Sequence, residues 1–140
     1  MNKFFLRLAV LFAMALGFAA TSATAGPNDP LFIGLSSDGA NRVGHVLHFA
    51  GLQMSRGHPV TIWLNEGGIF LASKKHTDKH AARQKELADL MSKGATVLVC
   101  QYCMKQLDVA ESDLLPGFKM GNPDLVGGAL FKDNTKTLTF

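Results

Sequence analysis

Gly94-Ala95-Thr96-Val97-Leu98-Val99-Cys100-Gln101-Tyr102-Cys103 decides how the rest of the chain is read. Ala95 to Val99 is a short run of apolar and β-branched residues, the mark of a strand buried on both faces. It ends directly in Cys100, and Cys103 follows three residues later; these are the only two cysteines of the 140 residues. A strand that ends in a thiol and opens a helix places sulfur beside unpaired backbone N–H groups, which favour thiolate over thiol. Two cysteines are too few for a disulfide framework. A bridge between them closes a very short loop and stabilises little. Reactivity explains the pair better than stapling does.

Working outward, the segments on either side repeat a strand–helix alternation. Leu31-Phe32-Ile33-Gly34-Leu35 and Val60-Thr61-Ile62-Trp63-Leu64 read as two further strands. Between them, a helix capped by Asn41 and running to about Arg56 puts Val43, Val46, Leu47, Ala50, Gly51 and Met54 on one stripe, with Gly57 past its end. A short apolar turn is expected at Ile69–Ala72. A helix from about Asp78 to Ser92 then carries Leu87, Leu90 and Met91 inward. After the cysteines, a short helix completes at Met104–Val109 and a short strand lies near Phe118–Met120. A helix opens at Pro123 behind an Asn122 cap, and Thr135–Phe140 alternates like an edge strand. This order implies βαβ units: a three-layer α/β/α sandwich with a mainly parallel sheet of about five strands. In such sheets the site lies outside the carboxyl ends of the strands. That rim collects Ser36, Ser37, Asp38, Asn65, Glu66 and Cys100, the polar residues having ordinary turn and capping chemistry as their alternative role. The sulfur reading requires Cys100 to be reachable from solvent on that rim.

Residues 1–25 have the form of a cleavable signal peptide: Lys3 and Arg7, an apolar stretch from Leu8 to Ala20, then Ala23-Thr24-Ala25. The stretch falls short of a membrane span, which needs about 20 apolar residues. The expected organisation is therefore signal peptide 1–25 and one domain over 26–140, exported to the periplasm without stable membrane insertion. The full chain has 14 Lys+Arg against 11 Asp+Glu; Lys3 and Arg7 leave with the signal and no acid does, so the two signs nearly balance. No basic footprint for nucleic acid remains.

The Gly94–Cys103 run, followed by Asp113-Leu114-Leu115-Pro116-Gly117, resembles the DsrE/DsrF-like family, and Gly57-His58-Pro59-Val60 before the second strand is similar too. The likeness covers about Leu31 to Phe140. It implies an α/β/α fold assembling as trimers or hexamers, and a cysteine that accepts sulfane sulfur as a persulfide and passes it to a partner. The family's carrier cysteine matches Cys100, while Cys103 matches a second cysteine found in some members. Export departs from the best-understood carriers, which act in the cytoplasm. On this resemblance Cys100 attacks a sulfane donor, Cys103 discharges the outer sulfur, and a Cys100–Cys103 disulfide is a resting state. Any catalysis would be sulfurtransferase-like, the partners are sulfur donors and acceptors, and no cofactor is expected.

Three other readings stand beside it. CxxC at a helix start is also the arrangement of thiol–disulfide oxidoreductases, although only 37 residues follow Cys103. CxxC is half a zinc site, and His76 with His80, or the scattered methionines Met54, Met91, Met104 and Met120, are the remaining candidate metal ligands. His76 and His80 lie in Lys74-Lys75-His76-Thr77-Asp78-Lys79-His80, which otherwise reads as a solvated basic helix start; His45 and His48 lie off the apolar stripe of the first helix. A scaffold that does not use its cysteines is the fourth.

Overall fold

The computed structural model describes residues 26–140; the signal-peptide reading falls on residues 1–25, outside the described part. Five strands form one sheet: β1 Leu31–Leu35, β2 Val60–Leu64, β3 Thr96–Cys100, β4 Lys119–Gly121 and β5 Lys136–Thr139. Their order is β4-β3-β2-β1-β5, and all four pairings are parallel. The helices are α1 Ala40–Ser55, α2 Thr77–Ser92, α3 Gln101–Gln106 and α4 Pro123–Leu130. The expected sheet of about five parallel strands in an α/β sandwich is what the chain forms.

Register explains which residues make the core. Ile33 pairs with Ile62 and Ile62 with Val97; Leu35 pairs with Leu64 and Leu64 with Val99. These side chains are in contact as rows on one face, and all are essentially buried. Burying each such side chain stabilises the fold by about 1.5–3 kcal/mol. Against that face α1 packs Val43, Val46, Leu47 and Ala50, and α2 packs Leu87 and Leu90. The opposite face carries Phe32, Trp63 and Leu98, and α4 lies on it at the β4 end, where Val126 approaches Gly121. A parallel sheet needs cover on both faces because its strands have no solvated side.

Several ends differ from the sequence reading. α1 starts one residue before Asn41: its cap is Gly39, held in an extended conformation, with no side-chain cap hydrogen bond. The Ser37 hydroxyl takes the Gly39 N–H instead, at 3.1 Å, so turn chemistry before the helix replaces a cap. The helix opened by the thiol begins at Gln101 with Cys100 as its cap residue, as expected, but ends at Gln106 rather than Val109. The final helix follows expectation, with Asn122 Oδ1 accepting from the Leu125 N–H at 2.9 Å and Pro123 in its first turn.

The largest departure lies above the strand ends. Glu66–Ala72 is a 3-10 segment of seven residues rather than a four-residue apolar turn. It buries Ile69 and Leu71 completely and sits against both β2 and β3. Gly68 makes this possible. A Cβ there would collide with the Leu35 carbonyl oxygen, so only glycine lets the segment seat on the end of β1.

Gly68→Ala is therefore expected to cost about 1–3 kcal/mol, as overpacking against backbone does. It should lower the urea midpoint without changing the slope. Gly128, within α4, has nothing within 4 Å of the corresponding position. Gly128→Ala should stabilise by about 0.5–1 kcal/mol through helix propensity. Equal effects of the two substitutions would contradict the seating role assigned to Gly68.

Candidate functional site: a disulfide at the end of the third strand

β3 delivers Cys100 to the carboxyl rim of the sheet, where it pairs with Gly121 of β4. Its backbone leaves the strand at φ −59° and ψ 109°, and α3 begins at the next residue. The Cys103 N–H points back and donates to Cys100 Sγ at 3.1 Å. This is an N-cap with sulfur in the place of the usual oxygen. An N–H held on the sulfur stabilises negative charge there more than it stabilises the neutral thiol. Cys100 and Cys103 are joined as a disulfide, with their Cα atoms 5.2 Å apart.

The two sulfur-bearing residues differ in their surroundings. Cys100 is only 7% exposed and belongs to the same apolar cluster as Val99, Met104 and Val109. Cys103 is half-buried, and Tyr102 between them stands out into solvent. Cys100 is thus buried where the sequence reading asked for a sulfur reachable on the rim, and the Cys103 side of the bridge is the more open one.

The other rim residues do not converge on the cysteines. Ser36 Oγ donates to the Phe140 carbonyl at 2.8 Å, tying β1 to the end of the chain. Ser37 serves the turn before α1, and Asn65 Nδ2 reaches the Trp63 carbonyl at 3.4 Å. Glu66 opens the 3-10 segment at φ 44°, a left-handed conformation unusual outside glycine. For Ser36, Ser37 and Asn65 the local role accounts for the residue.

Asp38 behaves differently. Lys79 Nζ donates to its Oδ2 at 2.6 Å, and His80 Nε2 stands 3.2 Å from the same oxygen. The Lys79 ammonium holds the Asp38 carboxyl below the usual carboxylate range, against a smaller opposing effect of burial. His80 is 4% exposed, and its Nε2 lies off the line a hydrogen bond requires, leaving it without a hydrogen-bond partner. Burial pushes the His80 imidazole below its ordinary value; the Asp38 charge pulls the other way and is outweighed. The basic run Lys74–His80 is therefore not wholly solvated, as its composition suggests. His80 and Gln84 continue the inward stripe of α2 above Leu87 and Met91, and Gln84 Nε2 donates to the carbonyl of fully buried Ser73 at 3.0 Å. The spacing 80, 84, 87, 91 is the helical i, i+4, i+7, i+11 pattern, which is the signal that marks these polar residues as inward-facing.

His76 is engaged separately. Its Nδ1 lies 3.1 Å from Ser73 Oγ and its ring stacks on Phe70 with centroids 4.4 Å apart. Lys75 pairs with Asp113 at 2.8 Å, which raises the lysine and lowers the carboxyl from their ordinary values and joins the approach to α2 with the connector after α3. His45 and His48 are exposed. Among the described residues no three His, Cys, Asp or Glu side chains come together as a metal-binding group. No described helix is long and apolar enough to cross a membrane.

The His80 environment sets a pH dependence. A histidine whose value is depressed in the fold binds its proton more readily when unfolded, so its contribution to stability is complete above the ordinary histidine range. That contribution is lost as pH falls below about 6.5. Urea midpoints measured from about pH 7.5 to 5.5 should fall, and His80→Gln should flatten that fall while Asp38 remains ionised. A wild-type midpoint that rises across the same interval would contradict the assignment.

With this geometry in place, comparison with known proteins identifies the fold and its kin. The sequence profile of the DsrE/DsrF-like family matches residues 30–140. A protein of Methanocaldococcus jannaschii, described as uncharacterized, is 32% identical over 104 residues, spanning 73% of this chain and 90% of that one. Two solved structures share the fold. One is a protein of unknown function from Methanobacterium thermoautotrophicum, with a TM-score of 0.67, 12% identity, and cover of 81% of this chain and 100% of that one. The other is the YchN protein of E. coli, with a TM-score of 0.66, 14% identity, and cover of 81% and 99%. From its first strand to its last residue, the chain belongs to the DsrE/DsrF-like family.

Proposed function

We propose that this protein is a periplasmic sulfur carrier that takes up sulfane sulfur as a cysteine persulfide on the Cys100–Cys103 pair and hands it to a partner. The observation that carries the proposal is the Cys103 N–H held on Cys100 Sγ at the end of β3. Family membership supports a function related to sulfur relay. The form of residues 1–25 supports export. In an oxidising compartment the closed bridge is the resting form, and a reductant or sulfur donor opens it. Once reduced, the Cys100 thiolate attacks the outer sulfur of a polysulfide and the shortened polysulfide leaves. Cys103 then attacks the inner sulfur of the persulfide, expelling the outer one as hydrosulfide and restoring the bridge.

Self-association into a trimer or hexamer belongs to the same proposal. Phe131 is 82% exposed and Leu125 47%, at the two ends of α4, while Leu138 of the edge strand β5, 37% exposed, lies in register with Ile33 on the other face. Large apolar side chains in solvent are where subunits meet.

The bridge also suits a second reading, in which the pair exchanges disulfides with other proteins and carries no sulfur. One experiment separates the two. Reduced protein is incubated with polysulfide, alkylated and analysed by mass spectrometry, as wild type and as Cys100→Ser. Retained sulfur on the wild type and its loss in Cys100→Ser is the expected result. Wild type that stays unmodified yet reduces insulin disulfides would establish the redox reading instead.

A further inference from the structure

The bridge is asymmetric in a way that decides which sulfur an incoming nucleophile can strike, and with what consequence. A thiolate or hydrosulfide opens a disulfide by approaching one sulfur along the S–S axis, from the side opposite the sulfur that departs. Cys100 is the more buried of the two, 7% exposed in an apolar cluster with Met104 and Val109 at 3% and 6%, which leaves little room for a nucleophile on its sulfur. Cys103 is only half-buried, so a nucleophile has more room there, and for attack on it the departing atom is Cys100 Sγ. That departing sulfur already accepts the Cys103 N–H at 3.1 Å. The better leaving thiolate is the one whose negative charge is stabilised. Access and leaving-group stabilisation therefore select the same bond cleavage.

We infer that hydrosulfide loads the oxidised protein directly, by attack on Cys103 rather than on Cys100. The hydrosulfide sulfur bonds to Cys103 Sγ, the Cys103–Cys100 bond breaks, and its electron pair leaves on Cys100 as thiolate. The product is a Cys103 persulfide beside a Cys100 thiolate. The sulfide has been oxidised by two electrons to sulfane level and the disulfide reduced by the same two, so the step requires no other oxidant. The inference rests on the sulfur-relay reading of the pair and names a substrate class for its resting form, free sulfide. Cys103 becomes the point of entry in that state, while Cys100 keeps its role as nucleophile in the reduced state. The two roles have different steric demands. A thiolate attacking a donor uses any lone pair that reaches solvent, whereas a disulfide sulfur under attack must be approached along one axis.

Wild-type protein with its bridge intact is mixed with sodium sulfide, quenched at short times with iodoacetamide, and digested with trypsin. Both cysteines fall in one peptide, Gly94–Lys105, so fragment spectra locate the extra sulfur. At the earliest times the extra sulfur should sit on Cys103, with simple alkylation on Cys100, in excess of the reverse pattern by roughly tenfold. A majority of the sulfur on Cys100, an even split, or no persulfide from the bridged protein would overturn the inference. A second probe is reduced glutathione, whose mixed disulfide should form on Cys103 by the same preference. Reduced protein treated with polysulfide is run in parallel. Uptake there with none from the bridged form discards this inference and leaves the carrier reading in place. Failure of the reduced form alone discards polysulfide uptake by the Cys100 thiolate and leaves sulfide entry at Cys103.

Discussion

The close seating of Gly68 on the carbonyl of Leu35 is the constraint from which the rest of the rim follows. A parallel sheet of this order leaves a crevice above its strand ends, and that is where α/β proteins place their ligands. Here the 3-10 segment Glu66–Ala72 seats on the end of β1 and packs against β2 and β3, and the buried side chains of Ile69 and Leu71 fill the space. What stays more open beyond β3 is the Cys103 side of the bridge. At the end of β3 a backbone N–H meets the sulfur of Cys100.

Much of the architecture was legible in the residues. The runs Leu31–Leu35, Val60–Leu64 and Thr96–Cys100 are β-branched and apolar enough to be fully buried strands, and the α1 stripe from Val43 to Ala50 has helical spacing. Local patterns of this kind survive folding because the same side chains that set the propensity also make the core. The thiol pair was equally plain, since its position after a strand depends only on neighbours in sequence. The strand order was not legible in this way, because it is set by pairing between segments far apart in sequence.

What the sequence hid depends on contacts between distant segments. Nothing local distinguishes the Glu66–Ala72 segment from a turn; its length follows from Gly68 meeting the Leu35 carbonyl across 33 positions. His80 was masked by the lysines around it. Lys74, Lys75 and Lys79 are exposed, yet His80, on the inward stripe of the same helix, is buried against Asp38. Composition averages over a helix and face does not, so the charged run misled where periodicity would not have. The difference between Cys100 and Cys103 was hidden for the same reason, because burial of a sulfur is set by which side of a one-turn helix faces the core.

That last difference bears on how a two-cysteine site manages two kinds of chemistry. A carrier thiol must be nucleophilic when empty and shielded when loaded, because a persulfide open to solvent gives up its sulfur to any passing thiol. Cys100 is nearly enclosed, and the backbone N–H that donates to its sulfur costs no desolvation of a second ion. A lysine placed to do the same work would have to be buried with it, at a cost of several kcal/mol for the ammonium alone. Using a peptide N–H avoids that cost. It also explains why the nearby cation, Lys105, is left exposed in solvent one turn along. Cys103 lies on the more open side of the same turn, and the short α3 holds it in bonding range of Cys100.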